Sequence, residues 1–112
     1  MKIDIKSENG AAIATLKGEI DHHNAKELRT ELDRFIVSAQ PRELTIDFGG
    51  ITFMDSSGIG LVMGRYRLIE GKNCSFYIVN LSEHAYRVMQ LAGLEKIAKI
   101  SKREDVSDES KK

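Results

Sequence analysis

The chain has 112 residues, of which 41% are hydrophobic and 30% charged, and its 17 basic side chains are balanced by 17 acidic ones. This length suits one compact domain. A neutral chain lacks the basic surface of a nucleic-acid-binding protein, and no apolar run approaches the roughly 20 residues that cross a bilayer. The start of the chain lacks the apolar stretch of a signal peptide, and its one cysteine, Cys74, permits no internal disulfide. We therefore expect a protein of the reducing cytoplasm.

The chain opens with the pattern of a β-hairpin. Ile3 and Ile5 alternate with charged residues, as in a half-buried strand. Asn9 and Gly10 follow, and this dipeptide signals a hairpin turn because both residues tolerate a positive φ. Residues 11–16 are therefore predicted to form the returning strand.

A helix is predicted after the hairpin. Asn24 is the expected N-cap, and Glu27, three residues later, completes a variant of the capping box. Pro41 ends the helical region because its ring cannot continue a helix. The residues expected on the buried face are Ala25, Leu28, Leu32, Phe35, Ile36 and Ala39.

The middle of the chain predicts a strand and a second helix. Apolar and polar residues alternate over residues 44–48, and the glycine pair at residues 49–50 is expected to break this strand. Residues 51–54 then lead into a helix over residues 58–70, with Gly71 as its C-terminal cap. The apolar stripe of this helix consists of Ile59, Val62, Met63, Tyr66 and Ile69.

The last third predicts a strand, a helix and a short final strand. Residues 74–79 are nearly all apolar or aromatic, as expected of a central strand covered on both faces. Ser82 is the expected N-cap of the third helix, and Gly93 ends it. A short strand is expected over residues 97–100. The buried stripe of the third helix consists of Ala85, Val88, Met89 and Ala92.

This order of elements, β-β-α-β-(β)-α-β-α-β, predicts an α/β fold. Strands that alternate with helices form a mostly parallel sheet packed with helices, and the opening hairpin adds an antiparallel pair. We expect a mixed sheet of four to five strands in one domain over residues 1–100. Residues 101–112 are charged and nearly without apolar side chains, so we expect them to form a disordered tail.

The most informative motif is Phe-Met-Asp-Ser-Ser-Gly-Ile-Gly at residues 53–60, where an apolar run turns into a helix. A helix start offers free backbone N–H groups and the positive end of the helix dipole. Asp55 could cap this helix and leave a serine spare. Ser56 or Ser57 could then carry a phosphate, which suggests a switch rather than a catalytic pocket.

Glycines follow the two serines. Gly58 and Gly60 remove side chains from the first helical turn, so the backbone or active site of another protein could approach closely. Gly64 is expected to let the helix pack close to the sheet. Each glycine costs about 1 kcal/mol of helix stability relative to alanine, which indicates a geometric requirement.

A second polar segment, Gly-Glu-Ile-Asp-His-His-Asn, occupies residues 18–24 between a strand and a helix. A polar loop with a cap explains it most simply. Its adjacent histidines point apart, and the other candidate ligands, His84 and Cys74, are distant in sequence, so we expect no metal site. His84 is interpreted as a solvated residue of a helical first turn, and Cys74 as a small core residue.

The catalytic motifs that these residues might suggest fail on spacing. A nucleophile elbow needs glycine two residues before the serine, where Met54 stands before Ser56. The chain has neither a phosphate-binding loop nor a dinucleotide fingerprint. Asp55 as the phosphate acceptor of a receiver-like domain would need further carboxylates for magnesium, and the first strand ends without an acidic pair. We therefore expect no catalytic residue and no cofactor.

The motif at residues 55–60 resembles the phosphorylation signature of the anti-sigma factor antagonists, the bacterial anti-anti-sigma factors built on the STAS domain. Residues 18–23 resemble, more narrowly, the sporulation branch of this family. Further matches lie at residues 64–66 and 93–94. The resemblance spans residues 1–100 and agrees with the order of elements above.

The resemblance implies a non-enzymatic partner switch. In this family the unphosphorylated antagonist binds an anti-sigma factor that is also a serine kinase, which frees a sigma factor. Phosphorylation by the kinase releases the antagonist, and a phosphatase of the PP2C class restores it. The acceptor carries over to Ser56, and Ser57 occupies the position where relatives carry Ser or Thr. The residues expected to contact the partner are Glu19, Asp21, His22, Asp55, Ser57, Gly58 and Gly60.

Strand topology supports this placement, because the loops after neighbouring strands could bring Asp21, Glu19 and His22 to the same rim as Ser56. We expect a monomer when the protein is free. The alternatives are a STAS antagonist of a stress or sensory pathway and, from another class, a small phosphotransfer or nucleotide-hydrolysing domain. Many family members carry a further C-terminal helix, which the polar chain after Ile100 would truncate or replace.

Overall fold

The computed structural model describes residues 2–103. Their elements are β1 (Lys2–Glu8), β2 (Ala11–Ile20), α1 (His22–Ala39), β3 (Glu43–Met54), α2 (Ser57–Ile69), β4 (Ser75–Leu81), α3 (Glu83–Leu91), a short 3-10 helix (Leu94–Lys96) and β5 (Lys99–Lys102). The strands form one five-stranded sheet in the order β1-β2-β3-β4-β5. The first pair is antiparallel and the other three are parallel. The mixed, mostly parallel sheet predicted from the sequence is therefore confirmed.

The core lies on one face of the sheet. Alternate residues of the three central strands are buried, and they are Ala12, Ala14, Leu16, Leu44, Ile46, Phe48, Phe76 and Ile78. On the opposite face, Ile13 is 48% exposed and Tyr77 and Val79 of β4 are only partly buried. The prediction that β4 is covered on both faces was therefore wrong. An apolar run can also arise in a strand with one covered face, because Tyr77 and Val79 tolerate partial exposure.

Strands β2 and β3 are both longer than predicted. Residues 18–20 continue β2, and β3 runs through the glycine pair at residues 49–50 without a break. Pairing between the two strands resumes after a shift, with Lys17 opposite Gly50 and Ile20 opposite Met54. A Cβ at Gly50 would lie 2.8 Å from the Leu16 carbonyl oxygen, so glycine permits a close approach of the two strands at this irregularity.

The C-terminal halves of β2 and β3 project beyond the rest of the sheet. The last pair between β3 and β4 joins Asp47 to Val79, whereas β3 continues to Met54 alongside β2. At about 3.3 Å per residue, this two-stranded ribbon extends roughly 20 Å past the last pair with β4. Phe53, near the tip of the ribbon, is 50% exposed.

The start of α1 differs from the prediction. Asp21, not Asn24, is the N-cap, and its carboxylate accepts a hydrogen bond of 2.8 Å from the Asn24 backbone N–H. Because β2 reaches Ile20, the helix can begin directly after the next residue. Ser82 is the N-cap of α3, as predicted, and accepts from the Ala85 backbone N–H at 3.1 Å.

The buried faces of the helices follow the expected periodicity with three exceptions among the residues expected to be buried. Ala92, expected in the stripe of α3, is exposed and lies just after the end of that helix. In α1, Ala39 is exposed at the last position of the helix. In α2, Met63 is 40% exposed, while the charged Arg65 is buried at 4% exposure. Sequence patterning assigns a charged residue to the solvent side and therefore missed Arg65.

The chain beyond α3 extends the sheet slightly further than expected. The last strand was predicted over residues 97–100, but β5 covers Lys99–Lys102, and Ile97 instead ends the 3-10 helix. The predicted tail lies mostly outside the described residues. Among residues 2–103, none of the helices is long and apolar enough to cross a membrane.

Candidate partner-binding site

Two neighbouring strand ends and two helix starts meet at one rim of the sheet. Ile20 and Met54 are paired at the ends of β2 and β3, and the Asp55 backbone N–H donates to the Ile20 carbonyl at 3.1 Å. Each strand is followed by an aspartate whose carboxylate caps the next helix. The Asp21 carboxylate caps α1, and the Asp55 carboxylate accepts from the Ser57 N–H at 2.8 Å. The structure thus brings together the two polar segments found in the sequence.

Asp55 connects the two helix starts electrostatically. The backbone N–H of Ser57 is the main cause that lowers the pKa of the Asp55 carboxyl below its ordinary value of 3.8, although partial desolvation opposes this shift. The Ser57 hydroxyl, the His22 backbone N–H and the charge of His22 lower this pKa further. Asp55 therefore carries a negative charge at neutral pH and occupies the positive end of α2.

This lowered pKa predicts a specific acid sensitivity. The folded protein holds the Asp55 proton less tightly than the unfolded chain, so ionised Asp55 stabilises the fold fully above 3.8. That contribution is lost as the pH falls through the lower folded pKa. We expect the free energy of unfolding to fall more steeply below about pH 4 for wild type than for Asp55→Asn, measured by urea denaturation. Parallel curves for the two proteins would contradict the role of Asp55.

The two serines have different surroundings. Ser56 is exposed at the N-cap position of α2, and its side chain makes no cap hydrogen bond. Ser57 is half-buried, and its backbone N–H is held by Asp55. Ser56 therefore carries the spare hydroxyl, which a second protein can reach most directly.

The three glycines of α2 also differ from one another. Gly58 is buried, and a Cβ there would overlap Cγ and Sδ of Met54. The lack of a side chain at Gly58 thus allows α2 to pack against the end of β3. Gly60 is exposed, and Cβ atoms at Gly60 and Gly64 would meet nothing within 4 Å. The expectation that Gly64 lets the helix approach the sheet was therefore wrong.

The remaining residues expected to contact a partner lie at the end of β2 and the start of α1. Glu19 is exposed near the end of β2, where its backbone carbonyl accepts from the Asn24 side chain at 3.3 Å. His22 and His23 are exposed in the first turn of α1, whereas His84 lies on α3. No group of three or more His, Cys, Asp or Glu side chains within residues 2–103 is arranged to hold a metal ion.

The half-buried Cys74 lies away from this rim. It packs against the core just before β4. Burial raises the pKa of its thiol, and the charge of Glu43 raises it further. The thiol is therefore protonated and weakly nucleophilic at neutral pH, which agrees with its interpretation as a small packing residue.

A groove of about 280 Å³ lies between α1 and α2 beside the serines. Its lining residues are His22, Ala25, Lys26, Arg29, Ser57, Gly60 and Leu61. Sequence reasoning missed Lys26 and Arg29. They follow His22 at helical spacings of four and seven residues, but their position opposite α2 depends on how the two helices pack.

An ion pair between the buried Arg65 and the partly exposed Asp33 joins the two helices. Arg65 Nε of α2 lies 2.7 Å from Asp33 Oδ1 of α1, without the alignment of a hydrogen bond, and Arg65 Nη1 donates to the Leu61 carbonyl at 3.0 Å. Burial lowers the pKa of the Arg65 guanidinium, and the charge of Asp33 opposes this effect. The positive charge of the nearby Arg29 lowers it further. The pair thus fixes the relative position of the helices that carry the rim.

Comparison with known proteins identifies the family. The sequence pattern of the STAS domain matches residues 2–106. The chain belongs to the STAS domain family. It is 32% identical over 100 residues to the anti-sigma F factor antagonist of Paenibacillus polymyxa, an alignment that covers 89% of this chain and 86% of the relative.

Further similarities agree with this assignment. This STAS domain is 30% identical over 101 residues to the anti-sigma-B factor antagonist of Bacillus subtilis, covering 90% of this chain and 91% of the relative. Its fold is similar to that of the anti-sigma factor antagonist SpoIIAA in its unphosphorylated form, with a TM-score of 0.72 and 23% identity. That match covers 98% of this chain and 96% of the other. The family expected from the serine motif is therefore confirmed.

Proposed function

We propose that this STAS domain is an anti-sigma factor antagonist, which binds an anti-sigma factor kinase when Ser56 is unmodified and releases it when Ser56 is phosphorylated. The observation that carries the proposal is the exposed Ser56 hydroxyl, which makes no cap hydrogen bond because Asp55 caps α2 instead. The similarity to antagonists of two anti-sigma factors supports it.

The proposed switch is a local change of charge. The kinase transfers the γ-phosphoryl group of ATP to Ser56 Oγ, so an O–P bond forms, the hydroxyl proton leaves and ADP is released. The phosphate adds about −1.5 to −2 charges beside ionised Asp55. Asp55 already accepts the hydrogen bond of the Ser57 N–H, so this donor is not free for the phosphate. A partner surface fitted to a neutral hydroxyl would have to desolvate this dianion, which prevents binding.

We assign the partner contacts to the rim around Ser56. Glu19 lies at the end of β2, Asp21 and His22 at the start of α1, and Ser57 and Gly60 on α2. Asp55 holds the helix start, and Gly58 shapes it from inside. In this proposal the chain performs no catalysis of its own, works as a cytoplasmic monomer and is restored by a PP2C-type phosphatase.

Within the family we propose the sporulation branch, because residues 18–23 carry the Gly-Glu-Ile-Asp-His-His segment. The similarity to an anti-sigma-B factor antagonist favours a stress-response antagonist as the second candidate. Reconstituted transcription with a sporulation or a stress sigma factor, each held by its own anti-sigma factor, separates the two. Under our proposal, this chain restores transcription only in the sporulation mixture.

The phosphorylation site is tested with the anti-sigma kinase of the same host and ATP, followed by peptide mass spectrometry. We expect one phosphate on Ser56 of the wild type. It should be absent from Ser56→Ala and retained in Ser57→Ala, which removes the neighbouring hydroxyl and serves as the matched control. Phosphate on Ser57 alone would show that our assignment of the switch to Ser56 is wrong. The absence of phosphate from every variant and from the wild type would overturn the proposed kinase partner.

A further inference from the structure

The groove between α1 and α2 carries an excess of positive charge. Its lining includes the basic side chains of His22, Lys26 and Arg29 and no acidic side chain. Within residues 2–103, Lys26 and Arg29 form no ion pair. The groove therefore places two permanent positive charges beside Ser57, while Glu27 and Glu31 of α1 line the adjoining surface with His22 and Lys26.

The ion pair between Arg65 and Asp33 does not neutralise this charge. Asp33 already pairs with Arg65 at 2.7 Å, and Arg29 is close enough to lower the Arg65 pKa. The Asp33 carboxylate is therefore paired with Arg65 and not with Arg29, and the two guanidinium groups repel each other. An anion brought to Arg29 from outside would relieve this repulsion. Arg29 is exposed, so we expect the contact to have the modest strength of a surface ion pair and to be screened by salt.

The floor of the groove is open. Gly60 lines it, and within residues 2–103 a Cβ at this position would meet no atom within 4 Å apart from its chain neighbours and the backbone of its own helix. The helix thus carries a glycine that its own packing does not require. This leaves room for an incoming side chain beside Ser57, one turn from the proposed phosphorylation site.

We propose that this groove binds carboxylate side chains of the anti-sigma factor kinase, so that Lys26 and Arg29 form the basic half of the interface. The inference rests on the proposed function, because it names the chemistry of the partner surface next to Ser56. Carboxylates fit the groove because its two permanent positive charges are those of a lysine and an arginine, and an arginine can hold a carboxylate in a bidentate pair. Electrostatic attraction would also speed the encounter.

The decisive experiment compares Lys26→Gln and Arg29→Gln with Arg34→Gln, which removes the same charge from the same helix outside the groove. Binding of each unphosphorylated protein to the kinase is measured by calorimetry at low and high salt. We expect each groove variant to bind about tenfold more weakly at low salt and to lose part of the salt dependence, whereas Arg34→Gln changes affinity less than about twofold. Equal affinities for all three variants would overturn the proposal.

Two glycine variants test whether the open space of the groove, apart from its charge, is needed for kinase binding. Gly60→Gln fills the groove, and Gly64→Gln adds the same side chain one turn further along α2. Both should raise the melting temperature because glutamine favours a helix over glycine. Only Gly60→Gln should weaken kinase binding, and unchanged binding by this folded, stabilised variant would contradict the proposal.

The kinase side is tested by exchanging charges. Arg29→Glu should abolish most of the binding, and replacing the contacting partner carboxylate by lysine should restore it. If the wild type binds and is phosphorylated on Ser56 but the groove variants bind equally well, the groove assignment fails and the proposed function stands. A wild type that does not bind the kinase overturns both. If the groove variants change kinase binding only when the protein is phosphorylated, the groove interacts with the phosphate rather than with partner carboxylates, and the proposal is wrong.

Discussion

Ser56→Glu is expected to bind the anti-sigma factor kinase at least about 100-fold more weakly than the wild type, because an unpaired charge must be desolvated in the interface. Asp55 makes the effect large. Its carboxylate is already ionised and already holds the Ser57 N–H, so the new carboxylate gains no donor at the start of α2. The measurement is the dissociation constant by calorimetry.

Ser56→Gln is the matched control, since glutamine has nearly the size of glutamate without its charge. We expect Gln to weaken binding far less than Glu. Equal losses for the two variants would mean that the interface excludes bulk rather than charge at this position. Melting temperatures should be nearly unchanged for both, because the Ser56 side chain is exposed and makes no cap hydrogen bond.

Asp33→Asn is expected to lower the free energy of unfolding by about 2–4 kcal/mol, measured by urea denaturation. The variant leaves the Arg65 side chain, which is 4% exposed, without its counter-charge. The expected loss is smaller than for a fully buried pair because Asp33 itself is 37% exposed, and water screens part of the interaction.

Replacing Arg65, the other member of this ion pair, should lower the free energy of unfolding by a smaller amount. In Arg65→Met the thioether side chain fills much of the buried space, and the partly exposed Asp33 carboxylate can hydrate, so we expect a loss of about 0–2 kcal/mol. Glu31→Gln, which breaks the exposed Glu31–Arg34 pair of the same helix, should change stability by less than about 0.5 kcal/mol. A larger loss of unfolding free energy for Arg65→Met than for Asp33→Asn would contradict the inference that the buried Arg65 depends more on this pair than the partly exposed Asp33 does.

The sequence allowed the fold class to be predicted because local signals agreed with the tertiary structure. The Asn9-Gly10 turn and the Ser82 cap depend on interactions within a few residues, and both are observed. The continuity of β3 through residues 49–50 was not predictable from such signals. A glycine pair ordinarily weakens a strand, and only the pairing of this segment with β2 reveals that it continues.

The site was predictable to a similar extent. The motif at residues 55–60 indicated the exposed serine and the capping aspartate, since both follow from the start of one helix. The cap of α1 was misplaced by three residues, because Asp21 and Asn24 are both good caps and the end of β2 decides between them. Lys26, Arg29 and Arg65 were missed because their roles depend on contacts between α1 and α2.

The ribbon formed by the ends of β2 and β3 has a consequence for how the rim can adapt. Beyond Asp47, β3 is paired with β2 but no longer with β4. The segment that carries Phe53, Asp55 and Ser56 therefore lacks the bracing on both sides that holds the middle of the sheet. The buried Ile20 and Met54 side chains nevertheless anchor the ends of the ribbon to the core. We therefore expect adjustments of the rim to be confined to its solvent-facing side chains, such as the half-exposed Phe53, because larger movements would unpack the core.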